Sequence, residues 1–460
     1  MKEPNYRLRE LLAESGWSGE ALARAVNLLG AQCNLPLHYD RTSVAHWLAG
    51  SHPQSRVVPV IVEVLSRRLG RPLGLPDAGF SALHCPPALG SAASTALREL
   101  AALGAAEADP GRRSELDAMV YSLHALHDVL DPDRGQESSK DSSHEVTDSK
   151  GRACEVVATQ KDWEWEQRGM AEAASLFARN ADTFGGGYVK APLAAYMARA
   201  SSTLQEADKQ RLMTTQVVLL SHVLAQAHAE CGEHGLALAY YRLALCLADE
   251  NADPLGGALT LRGIAVQALE LGHPHEAVRL CGAAARRAPR GDIGLEVHIA
   301  GPYAAALAAA GHRDAALRVQ ELKGKTLTRP MAWGLAPVAG QPLALWYYYT
   351  ALAHHALGDR PTSVSRLRHC LDNLEPYRQC SCAVVHGRLA LELLTLGRLA
   401  EATHHGHLLC DLYPRLQSAR VHDLLARLHA EPRIHQRDSE AQRLCARMAA
   451  LLRQPLTWYR

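Results

Sequence analysis

"CGEHGLALAYYRLAL", residues 231–245, holds the pattern that decides the fold: Gly232 has the small Ala237 five positions after it and Ala225 seven positions before it. The motif A-x6-G-x4-[AS] then recurs. Gly272, Gly311, Gly358 and Gly397 are preceded at the same distance by Ala265, Ala304, Ala351 and Ala390, and followed by Ala277, Ala316, Ser363 and Ala402. A glycine can end one helix in a left-handed cap, and small residues on either side of it let two antiparallel helices approach closely. Each copy therefore predicts a helical hairpin, and the series predicts a stack of them.

Composition agrees with an all-α chain. Of 460 residues 47% are hydrophobic, but only 5% are aromatic, and Leu and Ala dominate, which favours close-packed helices over strands. That length can bury a large core and predicts two or more units. Formal charge is +1, so any electrostatic footprint for nucleic acid has to be local. Residues 1–75 carry 9 Lys/Arg against 6 Asp/Glu, net +3, and residues 411–460 carry 9 Arg against 5 Asp/Glu, net +4. A solvated arginine-rich helix face is the commoner meaning of the second run.

The opening "MKEPNYRLRELLAESGW" has no apolar signal stretch, and no apolar run is long enough to cross a bilayer, so a cytoplasmic location is expected. Eleven scattered cysteines fit small buried hydrophobes in a reducing compartment, without structural disulfides. Residues 131–151, "DPDRGQESSKDSSHEVTDSKG", have almost nothing apolar to offset their ordering entropy. The expected organisation is a head over 1–75, a helical connecting segment over 76–130, a flexible linker over 131–158 and a repeat body over 159–460, with the linker coupling head and body loosely.

The body segments "CGEHGLALAYYRLAL" and "LGRLAEATHHGHLL" (396–409) resemble the second half of a tetratricopeptide repeat. The glycines at 232, 272, 311, 358 and 397 step by 40, 39, 47 and 39 residues, longer than the roughly 34 of that repeat, so longer helices or loops are implied. An irregular Ala-rich helical bundle is the alternative. In a right-handed α-solenoid of this kind the first helix of each pair lines the concave face. Carried onto this register, that face includes His222, Gln226, Arg262, Val266, His298, Tyr348, Leu352 and His355. Such a face suits a protein or peptide ligand held by apolar contacts and a few polar fixing points, although the same residues could pack against a neighbouring segment.

The head reads as four short helices. Tyr6, Leu8, Leu11 and Leu12 give the first an apolar face; Ser18 can cap a second bearing Leu22, Ala25, Val26 and Leu29. "YDRTSVAHWLAGSHP" (39–53) predicts a third, capped by Asp40 or Thr42, with Val44, Trp47 and Leu48 inward and Gly50 ending it. Ile61, Val64, Leu65 and Leu69 mark the fourth. The run Val44-x2-Trp47-x2-Gly50-x2-Pro53 resembles the helix-turn-helix head of the Cro/repressor-like class, whose short third helix enters the major groove. By that resemblance Arg41, Thr42, Ser43 and His46 would reach base edges, while Arg24 and Arg56 would hold phosphates. The stretch "NLLGAQCNLPLHYD" (27–40) is longer than the tight turn of the class and contains Pro36. A purely structural alternative makes Arg41 to His46 the solvated side of a small helix packed by Trp47.

Together with "PNYRLRELLAESGWS" (4–18) and "FGGGYVKAPLAAY" (184–196), the quoted head helix makes the chain similar to a group of actinobacterial regulators of development and secondary metabolism. What this resemblance implies is a transcriptional regulator, often negative, of sporulation and antibiotic production. It implies DNA as partner, with homodimerisation open.

Other chemistry is poorly signalled. "FGGGYVK" (184–190) lacks the Gly-Lys-[Ser/Thr] of a phosphate loop and reads as a helix–helix loop. Cys380, Cys382, His386, His404, His405, His407 and Cys410 are ligand types at spacings that match no zinc pattern, so neither metal nor cofactor is expected. No G-x-S-x-G or H-E-x-x-H motif occurs, and no enzyme activity is expected. The reading is an all-α DNA-binding regulator with a tetratricopeptide-like body; the alternative is an interaction scaffold that does not bind DNA.

Overall fold

Gly232, Gly272, Gly311, Gly358 and Gly397 all adopt left-handed backbone, with φ between 72° and 87°. At each, the glycine N–H bonds the carbonyl three residues back and the next N–H bonds the carbonyl five residues back, as in Gly232 to Ala229 at 3.0 Å and Glu233 to His228 at 3.0 Å. These paired bonds form a Schellman cap, which uses up carbonyls that a helix end would leave orphaned. The small residues of both flanking columns are buried, at 0–1% exposure from Ala225 through Ala402. One repeated geometry thus turns the chain five times.

The computed structural model describes residues 3–33, 35–80, 93–126, 160–204, 207–324, 341–435 and 438–454; the expected linker, 131–158, lies outside them. Among the described residues every regular element is helical. The head comprises α1 (Tyr6–Ser15), α2 (Gly19–Gln32), α3 (Arg41–Leu48) and α4 (Val58–Leu69), followed by α5 (Ala93–Ala108) and α6 (Pro110–Asp117). The body begins with α7 (Gln160–Phe184), α8 (Gly186–Thr203) and α9 (Ala207–Glu230). Then come α10 (His234–Glu250), α11 (Pro254–Glu270), α12 (Pro274–Arg287), α13 (Ile293–Ala309) and α14 (Arg313–Gly324). It continues through α15 (Pro342–Ala356), α16 (Arg360–Asp372), α17 (Gln379–Thr395), α18 (Leu399–Leu412), α19 (Ala419–Ala430) and α20 (Ser439–Leu452). Each of these helices from α9 to α13, and from α15 to α18, packs on its successor, and α9, α11 and α13 also stack on one another.

The head core takes in Leu73, Ala78 and Phe80, so the head packs to residue 80, a little past the expected boundary at 75. Tyr6, expected on the inner face of α1, is exposed beneath Arg9 instead. The nine described cysteines are free thiols. No described helix is long and apolar enough to cross a membrane.

The body curls back on itself. Gln417 N–H donates to the Phe184 carbonyl at 2.7 Å, and Gly187 N–H donates to the Gln417 carbonyl at 2.9 Å. Gly185 sits at φ 93°, where a Cβ would lie 2.4 Å from the Gln417 carbonyl oxygen, and a Cβ on Gly186 would lie 2.3 Å from that of Ala227. Side chains would hold these backbones apart. "FGGGY" is thus a helix–helix junction, as its sequence suggests, and also the place where the two ends of the curl meet.

Where α5, α8, α9 and α10 converge, four charges are buried together. His228, 1% exposed, lies 2.6 Å from Glu233 through Nδ1 and 3.2 Å from Glu107 through Nε2; Lys190 bonds Glu233 and the Tyr240 hydroxyl donates to Glu107. Burial by itself would lower the His228 pKa, but the Glu107 and Glu233 carboxylates outweigh it and hold it at about 9. Against a free histidine near 6.5, that cation contributes stability that is complete below pH 6.5 and disappears as pH rises through about 9. The thermal midpoint should therefore fall between pH 6.5 and about 9.5, and His228→Gln should flatten that fall; a level wild-type midpoint across the window would contradict the buried histidinium.

Candidate functional site

Helix α3 is short, and its start is fixed by Asp40. The Asp40 carboxylate accepts from the Ser43 N–H at 2.8 Å and from the Ser43 hydroxyl at 2.7 Å, and the Asp40 N–H donates to Ser43 Oγ at 3.4 Å, closing a capping box. These bonds to the cationic end of the helix draw the Asp40 carboxyl below its ordinary range. Val44 and Trp47 are buried, Leu48 half-buried, and the Tyr39 ring meets Trp47 edge-on at 4.9 Å. Arg41, Thr42 and His46 are exposed, and so are Arg24 on α2 and Arg56 before α4. Ser43 differs from them: it is half-buried and its hydroxyl is engaged in the cap, so it has less freedom for an outside contact.

The long turn before α3 is held firmly. Asn27 donates from Nδ2 to the Tyr39 carbonyl at 2.8 Å and accepts from the Tyr39 N–H at 2.8 Å. Leu35 and Leu37 are buried in the head core, with Leu37 packed so tightly on Gly30 that a Cβ there would meet it at 2.4 Å. Asn5 N–H ties the start of α1 to the Leu48 carbonyl at 3.1 Å. The extra residues therefore fill the core and leave α3 packed on α2.

Head and body touch directly, which corrects the expectation of loose coupling through a linker. Glu63 on α4, 2% exposed, accepts from Arg67 Nε at 2.7 Å and lies 3.0 Å from Nε2 of the buried His273, at the turn into α12. Ala118 and Val120, beyond α6, pack on the head core, and the buried Tyr121 ring lies 6.0 Å from His273.

A cavity opens inside the curl of the body, and a smaller adjoining one shares Asp182, Glu230, Leu345, Tyr349, Ser381 and Arg420 with it. Gln226, Arg262 and Val266 line the larger space and Tyr348 the smaller. Arg262 is buried, and its contacts are the His298 carbonyl at 3.4 Å, the Tyr349 hydroxyl at 3.3 Å and the Tyr349 ring beneath it. Arg420 pairs with Glu270 at 2.7 Å and donates to the Tyr348 hydroxyl at 2.9 Å; Arg378 pairs with Asp182.

The remaining expected groove residues sit elsewhere. His222 is turned toward α10, with its ring 5.5 Å from Tyr241, and His298 is buried behind Arg262. Burial first, and then the Arg262 charge, lower His222 to about 3 and push His298 well below its usual value, so both are neutral imidazoles. Leu352 is half-buried against the second body core. His355 lies outside the cavity, bonded to Glu392 beside Arg360. Sequence reading missed Asp182, Glu230, Glu270, Arg378, Ser381 and Arg420, because nothing local signals that α7 meets α17 across 196 positions of chain.

The cysteine and histidine group does not assemble. Cys380 donates its S–H to Glu230 at 3.0 Å, while His386 meets His405 at 3.0 Å. Among the described residues no group of three or more His, Cys, Asp or Glu side chains is placed to hold a metal ion.

Residues 8–81 match the family model of the SP15 N-terminal domain. The match covers the head from within α1 to its last core residue, Phe80, and leaves the body unmatched. No curated protein and no solved structure shows significant similarity to the chain.

The Glu63–His273 contact sets how the SP15-like head is held. His273→Ala would leave a buried carboxylate short of one partner, at a cost of about 1–3 kcal/mol. Amide exchange in α4 and in the turn before α12 should then quicken together in hydrogen–deuterium exchange; exchange unchanged in both would mean that the contact carries no coupling.

Proposed function

We propose that this protein is a non-enzymatic, cytoplasmic DNA-binding regulator of transcription, acting negatively on sporulation and antibiotic production as the resemblance to actinobacterial regulators implies. Its head is of helix-turn-helix type, and its tetratricopeptide-like body binds a protein or peptide partner. The observation that carries the reading is that Arg41, Thr42 and His46 stay exposed on one side of α3 with the body in place, while Val44 and Trp47 anchor the other side. An Arg at the first turn of such a helix can bond guanine in the major groove, and Thr and His add shorter contacts. Arg24 and Arg56, exposed nearby, suit phosphates.

One observation favours the runner-up, a tetratricopeptide-type interaction scaffold whose head serves packing only: α4 is bonded into the body through the buried Glu63. That attachment leaves α3 open, so it restrains the head without covering the proposed reading surface.

Fragmented genomic DNA should be incubated with the full chain and with an Arg41→Ala, His46→Ala double variant, and the retained pools sequenced. A shared motif should be enriched by the wild type and lost in the variant, since each well-placed base contact is worth about 1–3 kcal/mol of discrimination. Equal enrichment by both proteins would remove α3 as the reading element, and no enrichment by either would favour the scaffold.

A further inference from the structure

We propose that the body cavity takes a short free peptide of about three or four residues, its carboxylate on Arg262 and its ammonium on Glu230. This assignment rests on the reading of the body as the partner-binding half and names the chemistry of that partner.

Two opposite charges on the cavity wall, Arg262 and Glu230, make no ion pair at contact distance among the described residues, although the charge of Arg420 is felt at Glu230. Arg262 is 4% exposed and lines the space, yet its guanidinium meets a neutral carbonyl and a neutral hydroxyl at 3.3–3.4 Å and no carboxylate. A buried cation left in that state is costly, and a planar guanidinium is the group best shaped to take a carboxylate. Glu230 lines both spaces; it accepts from the Ser418 hydroxyl at 2.7 Å and the Cys380 thiol at 3.0 Å, but from no Lys, Arg or His. Of the neighbouring charges, Arg378 pairs with Asp182 and Arg420 with Glu270. Arg179 also lines the wall without an ion pair among the described residues but is exposed; the unmatched charges that are buried or half-buried are one cation and one anion, which a zwitterion complements.

The register of the helices sets its length. A Cβ on Gly263 of α11 would touch the His222 ring of α9 at 2.9 Å, which puts Arg262 at the level of His222. Glu230 lies about two turns further along α9, roughly 11 Å at the rise of an α-helix. An extended peptide advances about 3.3–3.6 Å per residue, so an axial offset of that size corresponds to three or four residues, longer than a single amino acid. Gln267, which also lines the space, has a buried Oε1 without a hydrogen-bond partner. The adjoining space is lined by Leu345, Leu374, Val384 and Val385 and suits an apolar side chain.

The test is calorimetric titration of the full chain with trileucine, trileucinamide, N-acetyl-trileucine and free leucine, repeated on Arg262→Gln and Glu230→Gln. Trileucine should bind, and either blocked form should bind about tenfold or more weakly, the scale of one charge-assisted hydrogen bond. Free leucine should bind far more weakly than trileucine. Arg262→Gln should erase the difference between acid and amide while keeping the preference for a free amine, and Glu230→Gln should do the reverse. If a variant fails to fold, the blocked peptides on wild type still decide. Absence of trileucine binding, or equal binding of the blocked peptides, overturns the proposal; DNA retention by the head is read separately and stands or falls apart from it.

Discussion

The close approach of neighbouring helices at small residues is the constraint on which the rest of the structure depends. With Ala or Ser in both columns flanking each of five turns, and a left-handed glycine at each of those five, the hairpins are closed in the same way. A larger side chain at any of these columns would force the helices apart in a core that is close-packed on both sides. Repetition of one tight contact accumulates into curvature. That curvature brings Phe184 and Gly187 into backbone contact with Gln417 and encloses a space between them.

Closure has an electrostatic consequence. The cavity wall joins α7, α9, α10, α11, α15, α17 and α19, and it carries several Arg and acidic side chains. Ion pairs join Arg378 to Asp182 and Arg420 to Glu270, whereas Arg262 and Glu230 make none among the described residues. The positive field of Arg262 is felt behind the wall, where it helps keep His222 and His298 neutral.

How much of this was legible in the sequence follows from the range of each interaction. The hairpins were legible because the glycine, the two small columns and the Schellman bonds all fall within about twelve residues of one another. The core of α3 and its Asp40 cap were legible for the same reason. Tyr6 was misplaced because a helix start offers several faces, and burial there is decided by Asn5 reaching Leu48 and Ala78. The groove was legible only in part. Positions on first helices divide between those facing the cavity, such as Gln226 and Arg262, and those facing the partner helix, such as His222, and a repeat register does not separate the two. The contribution of α7 and α17 to the wall, and the bond from Glu63 to His273, depend on the global curl and leave no local trace.

In the regulator we propose, with the head fixed to a curled body by buried contacts and α3 facing outward, DNA would be held by charge and read at base edges from one small surface. The measurement that tests this most directly is the salt dependence of affinity for the selected DNA site. Binding should weaken steeply as salt rises, and Arg24→Ala and Arg56→Ala should each lower the magnitude of the log–log slope by about one, because a protein that neutralises one phosphate fewer releases about one counterion fewer. A slope that neither substitution changes would contradict the placement of DNA on this face of the head.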